Sequence, residues 1–538
     1  MIDTKKLEAF AASARSGLIV EVEARLRAAL APASTARVEA PGAVGELEDA
    51  IARHGGGREG RRRIVEEQAY AWFNRIIALR FMDANRCTPT PVVSPEAGRA
   101  SGQPAVLAAA KRGEFDPDVF TRPTQVERIT GLLDGTLTSH DAQGEAYGLI
   151  LAAHCAFWHR AMPFMFAADG SFTSLLMPGN LLADGSVRAT AVETLTVEDC
   201  QDVEVIGWLY QFYISKRKNE VFAGFKRNKK AGPDEIPAAT QLFTPDWIVR
   251  YLVQNSVGRL WLLNHPESAL RGRMEYYIEP TGEEDFLRIE RPEELTVMDP
   301  ACGSGHMLTY AFDLLYEIYE EEGYSPSEIP ELILTHNLRG TEIDGRAGAL
   351  AAFALMMKAR ARQRRFLRKH VRIRVIEPAE FTPDELDRLV SAGGDRRAEE
   401  DFWQCFRHAD MLGSLISPDS ETLAVAKAQA EDLDSDTLAG ANLRERAEQV
   451  LCQAEYLAHE YAVVVTNPPY MGSKNMDAVL SDWGKTHHPA AKADLFAAFI
   501  ERCLALAEGG HGLVAMITMQ GWMFLGSFEE LRRRILSS

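Results

Sequence analysis

The sequence predicts an α/β protein in which a largely parallel sheet follows a mainly helical N-terminal domain. Residues 239–538 alternate short β-like runs with helical runs, the pattern of an open parallel sheet covered by helices. Residues 1 to about 235 show helical periodicity instead. We therefore predict a helical domain over residues 1–235 and an α/β domain over residues 236–538.

The composition of the 538 residues is that of a globular protein. Hydrophobic residues make up 46% and charged residues 25%, which excludes a mainly disordered or fibrous chain. Asp and Glu outnumber Lys and Arg by 77 to 59, giving a formal net charge of −18. Such an acidic chain does not bind nucleic acid by bulk charge, so any such contact requires local basic patches.

Targeting and redox signals are absent from the sequence. No window approaches the ~18 uncharged apolar residues of a membrane span, and residues 1–6 lack the basic-then-apolar order of a signal peptide. The seven cysteines form no CxxC pair, and the scattered histidines suggest no metal site. We expect a cytoplasmic protein without a membrane partner or a metal.

In the N-terminal part, apolar residues at spacings of three and four predict an amphipathic helix over Glu66 to Asn85. The residues of that stripe are Ala69, Trp72, Phe73, Ile76, Ile77 and Leu79. A second helix is predicted from Val203 to Tyr213. Residues 88–125 are rich in Pro, Gly and Ser, which predicts a long surface connection.

In the C-terminal part, short apolar runs predict five strands. Their bounds are Leu295–Asp299, Asn337–Glu342, Val371–Ile376, Tyr461–Thr466 and Gly512–Ile517. The gap between the third and fourth strands is far longer than an ordinary crossover. Because it contains acidic helical sequence from Ala426 to Glu455, we predict an insertion at about residues 378–460.

The first chemical motif follows the first predicted strand. It consists of Asp299, Pro300, Ala301, Cys302, Gly303, Ser304 and Gly305. The two glycines remove side chains at a sharp turn and let a ligand contact the backbone, and the helix that follows offers free N–H groups. An acid beside the turn would repel a pyrophosphate, so a ligand carrying an ammonium group is the better fit. A purely structural turn is the alternative interpretation.

The second motif, Gly340 to Asp344, ends the next strand. A carboxylate at this position can accept hydrogen bonds from both hydroxyls of a ribose, as in other nucleoside-binding sheets. Glu342 or Asp344 could serve, and Glu342 is nearer the strand. The alternative is an acid that is simply solvated at the strand end.

The third motif lies upstream, where Phe243, Thr244 and Pro245 precede an apolar helix over Trp247 to Leu263. Thr244 has the chemistry of a helix N-cap and Pro245 that of a first helical residue. An ordinary helix start is therefore one interpretation. The other is that a ligand carboxylate docks at this helix end.

The fourth motif, Asn467-Pro468-Pro469-Tyr470, ends a buried type of strand. The prolines remove two N–H donors and stiffen the turn. The Asn467 side-chain oxygen and the Pro468 carbonyl could then accept both protons of an exocyclic amine, directing its lone pair at an electrophilic methyl group. Tyr470 would give the base a flat surface for stacking.

The order FTP, DPACGSG, TEID and NPPY resembles the gamma class of S-adenosylmethionine-dependent methyltransferases that act on N6 of DNA adenine. The resemblance extends to Lys492–Phe496 and Leu513–Ile517. The segments at residues 69–75, 78–82 and 206–213 are similar to the PglX family, the methyltransferases of BREX phage-defence systems. The resemblance covers nearly the whole chain and implies a Rossmann-like class I methyltransferase sheet.

The resemblance also implies roles for the motif residues. The S-adenosylmethionine cofactor would contact Thr244, Pro245, Asp299, Pro300, Ala301, Cys302, Gly303, Ser304, Gly305, Glu342, Ile343 and Asp344. Asn467, Pro468, Pro469 and Tyr470 would hold an adenine flipped out of the duplex. After the third strand, Glu380 and Phe381 are the nearest match to the residues that contact the cofactor adenine, although the insertion disturbs their register.

The implied partners are double-stranded DNA and other BREX defence proteins, with a monomer favoured. Because PglX proteins are much longer, the resemblance implies that the C-terminal target-recognition domain is absent and that this chain does not necessarily methylate DNA alone. Two other functions remain open, namely a non-catalytic scaffold that binds cofactor and DNA, and a glutamine-N5 protein methyltransferase. Basic runs at residues 216–230 and 358–374 are candidates for phosphate contact, or for solvated surface.

Overall fold

The computed structural model describes residues 4–96, 98–99, 102–241, 244–282, 285–364, 366, 371–391, 393–433 and 437–537. The chain divides into two compact units. The first contains residues 1–213 and 364–369, and the second contains residues 214–363 and 370–538. The division falls inside a helix, Glu204–Phe225, whose first half covers the predicted helix at residues 203–213 except for Val203.

The first unit is built from helices. Their bounds are α1 Thr4–Ala29, α2 Thr35–Glu39, α3 Pro41–Arg53, α4 Gly57–Ala84, α5 Ala105–Lys111, α6 Pro123–Leu133, α7 Ala142–His159, α8 Val187–Thr194 and the start of α9, Glu204–Phe225. Side chains cap several of them, because the first N–H groups of a helix lack partners within it. Asp141, for example, accepts a 2.9 Å hydrogen bond from Gly144 N at the start of α7.

Helix α4 is the central helix of the first unit and contains the predicted amphipathic stripe. All six apolar residues of that stripe are buried. The prediction of a one-sided helix is nevertheless wrong, because nearly every residue from Gln68 to Asp83 is buried. Even Arg80 is buried, and it donates to the Leu195 carbonyl at 2.6 Å and to Ser94 Oγ at 3.1 Å. A helix that is covered on every side lies inside a core.

The prediction of a surface connection at residues 88–125 is also wrong for much of that segment. The buried Asp83 carboxylate accepts hydrogen bonds from Thr88 Oγ1 at 2.7 Å and from the amides of Val92, Val93 and Ser94 at 2.9 Å. Helix α5 then buries most of its alanine-rich length. Composition alone missed this, because one buried carboxylate supplies the hydrogen bonds that water would otherwise provide.

The second unit contains a five-stranded parallel sheet. The strands are β1 Val297–Asp299, β2 Leu338–Glu342, β3 Ile373–Val375, β4 Val463–Thr466 and β5 Leu513–Met516. Each lies within the predicted run, trimmed by one to three residues. Their order is β3-β2-β1-β4-β5, and each neighbouring pair is parallel. The prediction of an α/β fold with a parallel sheet is confirmed.

The central strands are the most buried, as expected where helices cover a parallel sheet. β1 and β4 are fully buried, whereas the two outer strands, β3 and β5, are only partly buried. In register, Val297 pairs with Leu338 on one side and with Val463 on the other. β1 therefore lies at the centre of the sheet, between β2 and β4.

The other helices of the second unit precede, connect or follow these strands. They are α10 Ile236–Thr240, α11 Asp246–Val253, α12 Arg259–Asn264, α13 His306–Glu321, α14 Ile329–Leu332, α15 Gly345–Arg362, α16 Pro383–Leu389, α17 Arg396–Gln404, α18 Ala409–Leu412, α19 Ser420–Glu431, α20 Leu438–Ala458, α21 Ala478–His487, α22 Leu495–Leu506 and α23 Glu529–Ser537. A π-helical turn at Gln254–Gly258 joins α11 to α12. The predicted helix over Trp247 to Leu263 is thus nearly continuous.

The segment between β3 and β4, where we predicted an insertion, folds into helices α16 to α20. These helices bury a large apolar cluster that includes Trp403, Phe406 and Leu443. The acidic helical sequence forms two helices, α19 and α20, and residues 434–436 between them lie outside the described residues. Over the part of the chain that the structure describes, no helix is both long and apolar enough to cross a membrane.

Candidate active site

Three of the four motifs lie at the carboxyl ends of adjacent strands. β1 ends at Asp299, β2 ends at Glu342 and β4 ends at Thr466, directly before Asn467. Parallel strands present their carboxyl ends at one edge of the sheet, so the motifs that follow them meet there. β2 lies on one side of β1 and β4 on the other, so the strand order reverses direction at β1. Ligands bind at such points of reversal in open α/β sheets.

Asp299 is buried at the end of β1, with only 2% of its surface exposed. Its Oδ1 accepts a 2.7 Å hydrogen bond from Thr466 Oγ1 at the end of β4 and a 3.1 Å bond from Ala301 N. Burial raises the pKa of Asp299 to about 7, although both hydrogen bonds act in the opposite direction. A cationic ligand group beside Asp299 would stabilise its ionised form, which burial disfavours.

Two consecutive residues of the loop after Asp299 are hydrogen-bonded to β2. Cys302 N donates to the Thr341 carbonyl at 3.1 Å, and Gly303 N donates to Glu342 Oε2 at 2.8 Å. Gly303 has a φ of +54° and Gly305 a φ of +88°, a region that disfavours other residues. A Cβ on Gly305 would lie 3.0 Å from that of Ala351. At Gly303 it would meet no described atom within 4 Å, so the backbone here is open to a ligand.

The structure distinguishes the two acids of the second motif. Asp344 caps helix α15, accepting hydrogen bonds from Arg346 N at 3.0 Å and from Arg346 Nε at 2.8 Å. Glu342 Oε1 accepts from the amides of Ile343 and Asp344 at 2.8 and 3.0 Å. Desolvation raises the pKa of Glu342 to about 7. Because Asp344 is committed to the helix cap, Glu342 is the better candidate for binding ribose hydroxyls.

Thr244 and Asn467 are brought together from 223 positions apart in the chain. Asn467 Nδ2 donates to Thr244 Oγ1 at 3.0 Å, while the buried Asn467 Oδ1 has no hydrogen-bond partner among the described residues. The interpretation of Thr244 as a helix N-cap is wrong. Helix α11 begins at Asp246, its cap position is Pro245, and no side chain caps it. Phe243 lies outside the described residues.

Pro468 and Tyr470 of the fourth motif are held by burial and by a hydrogen bond. Pro468 is buried, and the Tyr470 hydroxyl donates to the Ile517 carbonyl after β5 at 2.6 Å. The Tyr470 ring lies 5.8 Å from that of Phe496, and burial raises the pKa of Tyr470 to about 12. The hydroxyl therefore stays protonated at neutral pH and anchors the ring, which leaves stacking as its available role.

Three further residues were not singled out from the sequence. Thr466 joins Asp299 to the end of β4, and Asp494 accepts a 3.0 Å hydrogen bond from Met471 N, directly after the fourth motif. Ser414, between β3 and β4, donates to the Pro300 carbonyl at 2.7 Å. Asp494 lies in a segment that carried the family resemblance. Ser414 had no sequence signal, because its partners are 73 and 114 positions away.

Glu380 and Phe381, the suggested neighbours of the cofactor adenine, make other contacts. The Phe381 ring lies 5.4 Å from the Trp403 ring and 5.4 Å from the guanidinium carbon of Arg446, so it packs among helices α16 to α20. Glu380 is exposed and pairs with Arg407 at 3.3 Å.

The basic runs are partly committed to contacts within the second unit. At residues 216–230, Lys218 donates to the Gln241 carbonyl and Lys229 pairs with Glu235, whereas Lys216, Lys226 and Arg227 are exposed. At residues 358–374, Lys358 pairs with Asp313 at 2.5 Å, and the Arg362 guanidinium lies 4.3 Å from the Tyr316 ring centroid. Arg365, Arg368 and Lys369 lie outside the described residues. Among the described residues, the first run has more exposed basic side chains than the second.

Comparison with known proteins extends the sequence resemblance. The family model of the Eco57I restriction-modification methylase matches residues 336–538. The chain is 38% identical over 519 residues to "Adenine-specific methyltransferase BrxX" of Escherichia coli O9:H4 (strain HS), covering 89% of the chain. It is 34% identical over 504 residues to "Adenine-specific methyltransferase PglX" of Lacticaseibacillus casei (strain Zhang), covering 88%. The predicted relationship to PglX is confirmed.

The chain spans 42% of the length of that BrxX protein and 41% of that PglX protein. Among solved structures, it is similar to the DrdV–DNA complex, with a TM-score of 0.42 and 13% identity over 99% of this chain and 37% of that one. It is also similar to MmeI, a Type IIL restriction-modification enzyme in complex with DNA. That match has a TM-score of 0.37 and 13% identity over 87% of this chain and 53% of that one. Scores this low do not establish a shared fold.

Proposed function

Because the chain is homologous to the BrxX and PglX adenine-specific methyltransferases, we propose that it forms the catalytic part of an S-adenosylmethionine-dependent DNA methyltransferase acting on adenine N6. The sheet would then be a Rossmann-like class I methyltransferase sheet. The helical N-terminal domain would span residues 1–235, followed by a methyltransferase domain with an insertion at about residues 378–460. The strand order β3-β2-β1-β4-β5 supports this assignment.

The observation that carries the proposal is the buried Asn467 Oδ1, which has no hydrogen-bond partner within the described part of the chain. Its amide nitrogen is held by Thr244, so the oxygen is fixed in place. A buried acceptor without a donor destabilises the fold by ~1–3 kcal/mol, and such a cost is expected where a ligand supplies the missing donor. The N–H of an exocyclic amine is that kind of donor.

The residues around the loop after β1 fit the cofactor. Bound S-adenosylmethionine supplies a methyl group on a positively charged sulfur. Asp299, buried at the end of β1, would hold the ammonium group, and the open backbone at Gly303 would admit the ligand. Glu342 would accept a hydrogen bond from a ribose hydroxyl. Its Oε1 already accepts two amide hydrogen bonds and its Oε2 one, so one of its about four lone-pair sites, on Oε2, remains available.

On the substrate side, Asn467 Oδ1 and the Pro468 carbonyl would accept the two protons of the adenine amine. These contacts would localise the nitrogen lone pair, which is otherwise delocalised into the ring. S-adenosylmethionine held by Asp299 and Glu342 would supply the methyl group, and the methylated amine would lose one proton to water. Tyr470, anchored through its hydroxyl, would stack on the base.

The proposed partners are duplex DNA and other BREX defence proteins. The exposed Lys216, Lys226 and Arg227 support contact with phosphates. Methylation of chromosomal DNA in a bacterium takes place in the cytoplasm, so we place the protein there.

Transfer of label from tritiated S-adenosylmethionine to duplex DNA, RNA and a glutamine-containing peptide tests the proposal. We expect label at N6 of adenine when the whole gene is expressed, and cofactor binding by this chain itself. Label confined to the peptide would support a protein methyltransferase instead. Cofactor binding without transfer to any substrate, even by the whole gene product, would support a non-catalytic scaffold.

A further inference from the structure

We propose that Ser414 and Arg502 are positioning residues that hold the 299–305 loop in its cofactor-binding shape, a role that rests on the proposed function. Ser414 lies between β3 and β4, in the segment 378–460. Arg502 lies in helix α22, between β4 and β5. Both are almost completely buried, with 2% and 3% of their surfaces exposed.

Ser414 joins the loop to β2 through a directed pair of hydrogen bonds. Its Oγ lies 2.7 Å from the Pro300 carbonyl oxygen and 2.7 Å from Thr341 Oγ1. A carbonyl oxygen accepts but cannot donate, so the Ser414 proton points at Pro300. Thr341 must then donate its own proton to Ser414. The order of donors therefore runs from β2 through Ser414 to the loop.

This contact completes the attachment of the loop. The amides of Ala301, Cys302 and Gly303 are already bonded to Asp299, to the Thr341 carbonyl and to Glu342 respectively. All of these acceptors belong to β1 or β2. Ser414 adds a hydrogen bond at Pro300 from outside both strands, so each of residues 300–303 takes part in at least one hydrogen bond.

Arg502 in turn holds the backbone of Ser414. Its Nε donates to the Ser414 carbonyl at 2.7 Å, its Nη2 to the Leu457 carbonyl at 2.5 Å, and its Nη1 to Ser417 Oγ at 3.3 Å. Neutral acceptors compensate a buried cation incompletely, and burial lowers the pKa of Arg502 to about 10. Burying this cation costs free energy, so a contribution to stability poorly explains its presence. A role in positioning Ser414 and the 299–305 loop explains it better.

Helix α22 also holds the opposite side of the site. Asp494, at its N-cap, accepts a hydrogen bond from Met471 N, directly after Tyr470. Arg502 lies eight residues further along, or ~12 Å at 1.5 Å per residue. One helix is therefore bonded to the base-binding loop at its start and, through Ser414, to the cofactor-binding loop further along. We infer that α22 fixes the separation of the two loops.

Calorimetric titration of this chain with S-adenosylhomocysteine tests the role of Ser414. Ser414→Ala removes the donor to Pro300, and we expect the affinity to fall about three- to tenfold, the effect of one lost hydrogen bond. Ser417→Ala is the matched control, because it removes a contact with the same arginine from the same turn without touching Pro300. We expect the control to bind as the unmodified chain does.

Two further variants separate positioning from folding. Thr341→Val removes the donor to Ser414 while keeping the side-chain shape, and we expect it to weaken binding, whereas Thr341→Ser should restore it. An unchanged unfolding temperature together with weaker binding would support positioning. Parental affinity in both Ser414→Ala and Thr341→Val would overturn it. Failure of the unmodified chain to bind S-adenosylhomocysteine would instead refute the proposed function.

Discussion

Cofactor affinity should rise steeply with pH, because two carboxyl groups at the strand ends titrate near neutrality. The pKa values of Asp299 and Glu342 are both raised to about 7, in each case chiefly by desolvation. At pH 6 a group with this pKa is ~10% ionised, and at pH 8 ~90%. If the cationic cofactor requires Asp299 as a carboxylate, affinity rises about tenfold over this range, and about a hundredfold if Glu342 must also ionise.

Calorimetric titrations of S-adenosylhomocysteine, which keeps the ammonium group, at pH 6, 7 and 8 measure this dependence. Binding should release protons near pH 6, so the measured heat should vary with the ionisation enthalpy of the buffer. In Asp299→Asn, which cannot ionise, the affinity should be lower and its rise with pH about tenfold smaller. Equal affinity of the unmodified chain at pH 6 and pH 8 would refute the assignment of Asp299 to the ammonium group.

The pH dependence of stability tests the raised pKa of Asp299 independently. As the pH rises, stability should fall, whereas cofactor affinity should rise. A buried acid with a raised pKa binds its proton more tightly in the folded state, so its contribution to stability is lost as the pH rises from about 4 to about 7. Asp299→Asn mimics the protonated acid. Its unfolding temperature, relative to the unmodified chain without ligand, should therefore increase between pH 5 and pH 8. A difference that is constant over this range would contradict the raised pKa.

Three other predictions follow from the strand ends and the exposed basic run. Gly303→Leu should abolish cofactor binding, because its φ is +54° and the new side chain would fill the open approach to the backbone. The control Gly323→Leu, which also has a positive φ (+80°) but lies beyond the far end of α13, should bind the cofactor normally in calorimetry. Asn467→Ala in the whole gene should lower methylation ~10²–10³-fold and spare cofactor binding; persistent N6-methyladenine at the host motif in long-read sequencing would contradict this. Lys226→Glu with Arg227→Glu should flatten the salt dependence of weak, sequence-independent DNA binding in band-shift titrations, and an unchanged slope would show an ordinary solvated surface.

The residues that end the strands could be predicted from the sequence because their signals are local. The five short runs that predict strands all contain strands in the structure, and the two central ones, β1 and β4, are fully buried. Two glycines close together after a strand indicate a turn without reference to distant residues. Gly303 and Gly305 both have positive φ, as such a turn requires. The order of the motifs then placed the candidate site at one edge of the sheet.

Contacts between distant segments could not be predicted in this way. Thr244 has the local chemistry of a helix cap, yet its hydroxyl accepts from Asn467. Residues 88–125 have the composition of a surface loop, but the Asp83 carboxylate accepts hydrogen bonds from the buried amides of Val92, Val93 and Ser94.

Ser414 lies in a segment that disturbs the motif register, yet it donates to Pro300, 114 positions away. A side chain's type fixes which hydrogen bonds it can make, and this much the sequence determined. The partner it finds depends on which buried groups the folded chain leaves unsatisfied nearby, so only the tertiary structure decided it.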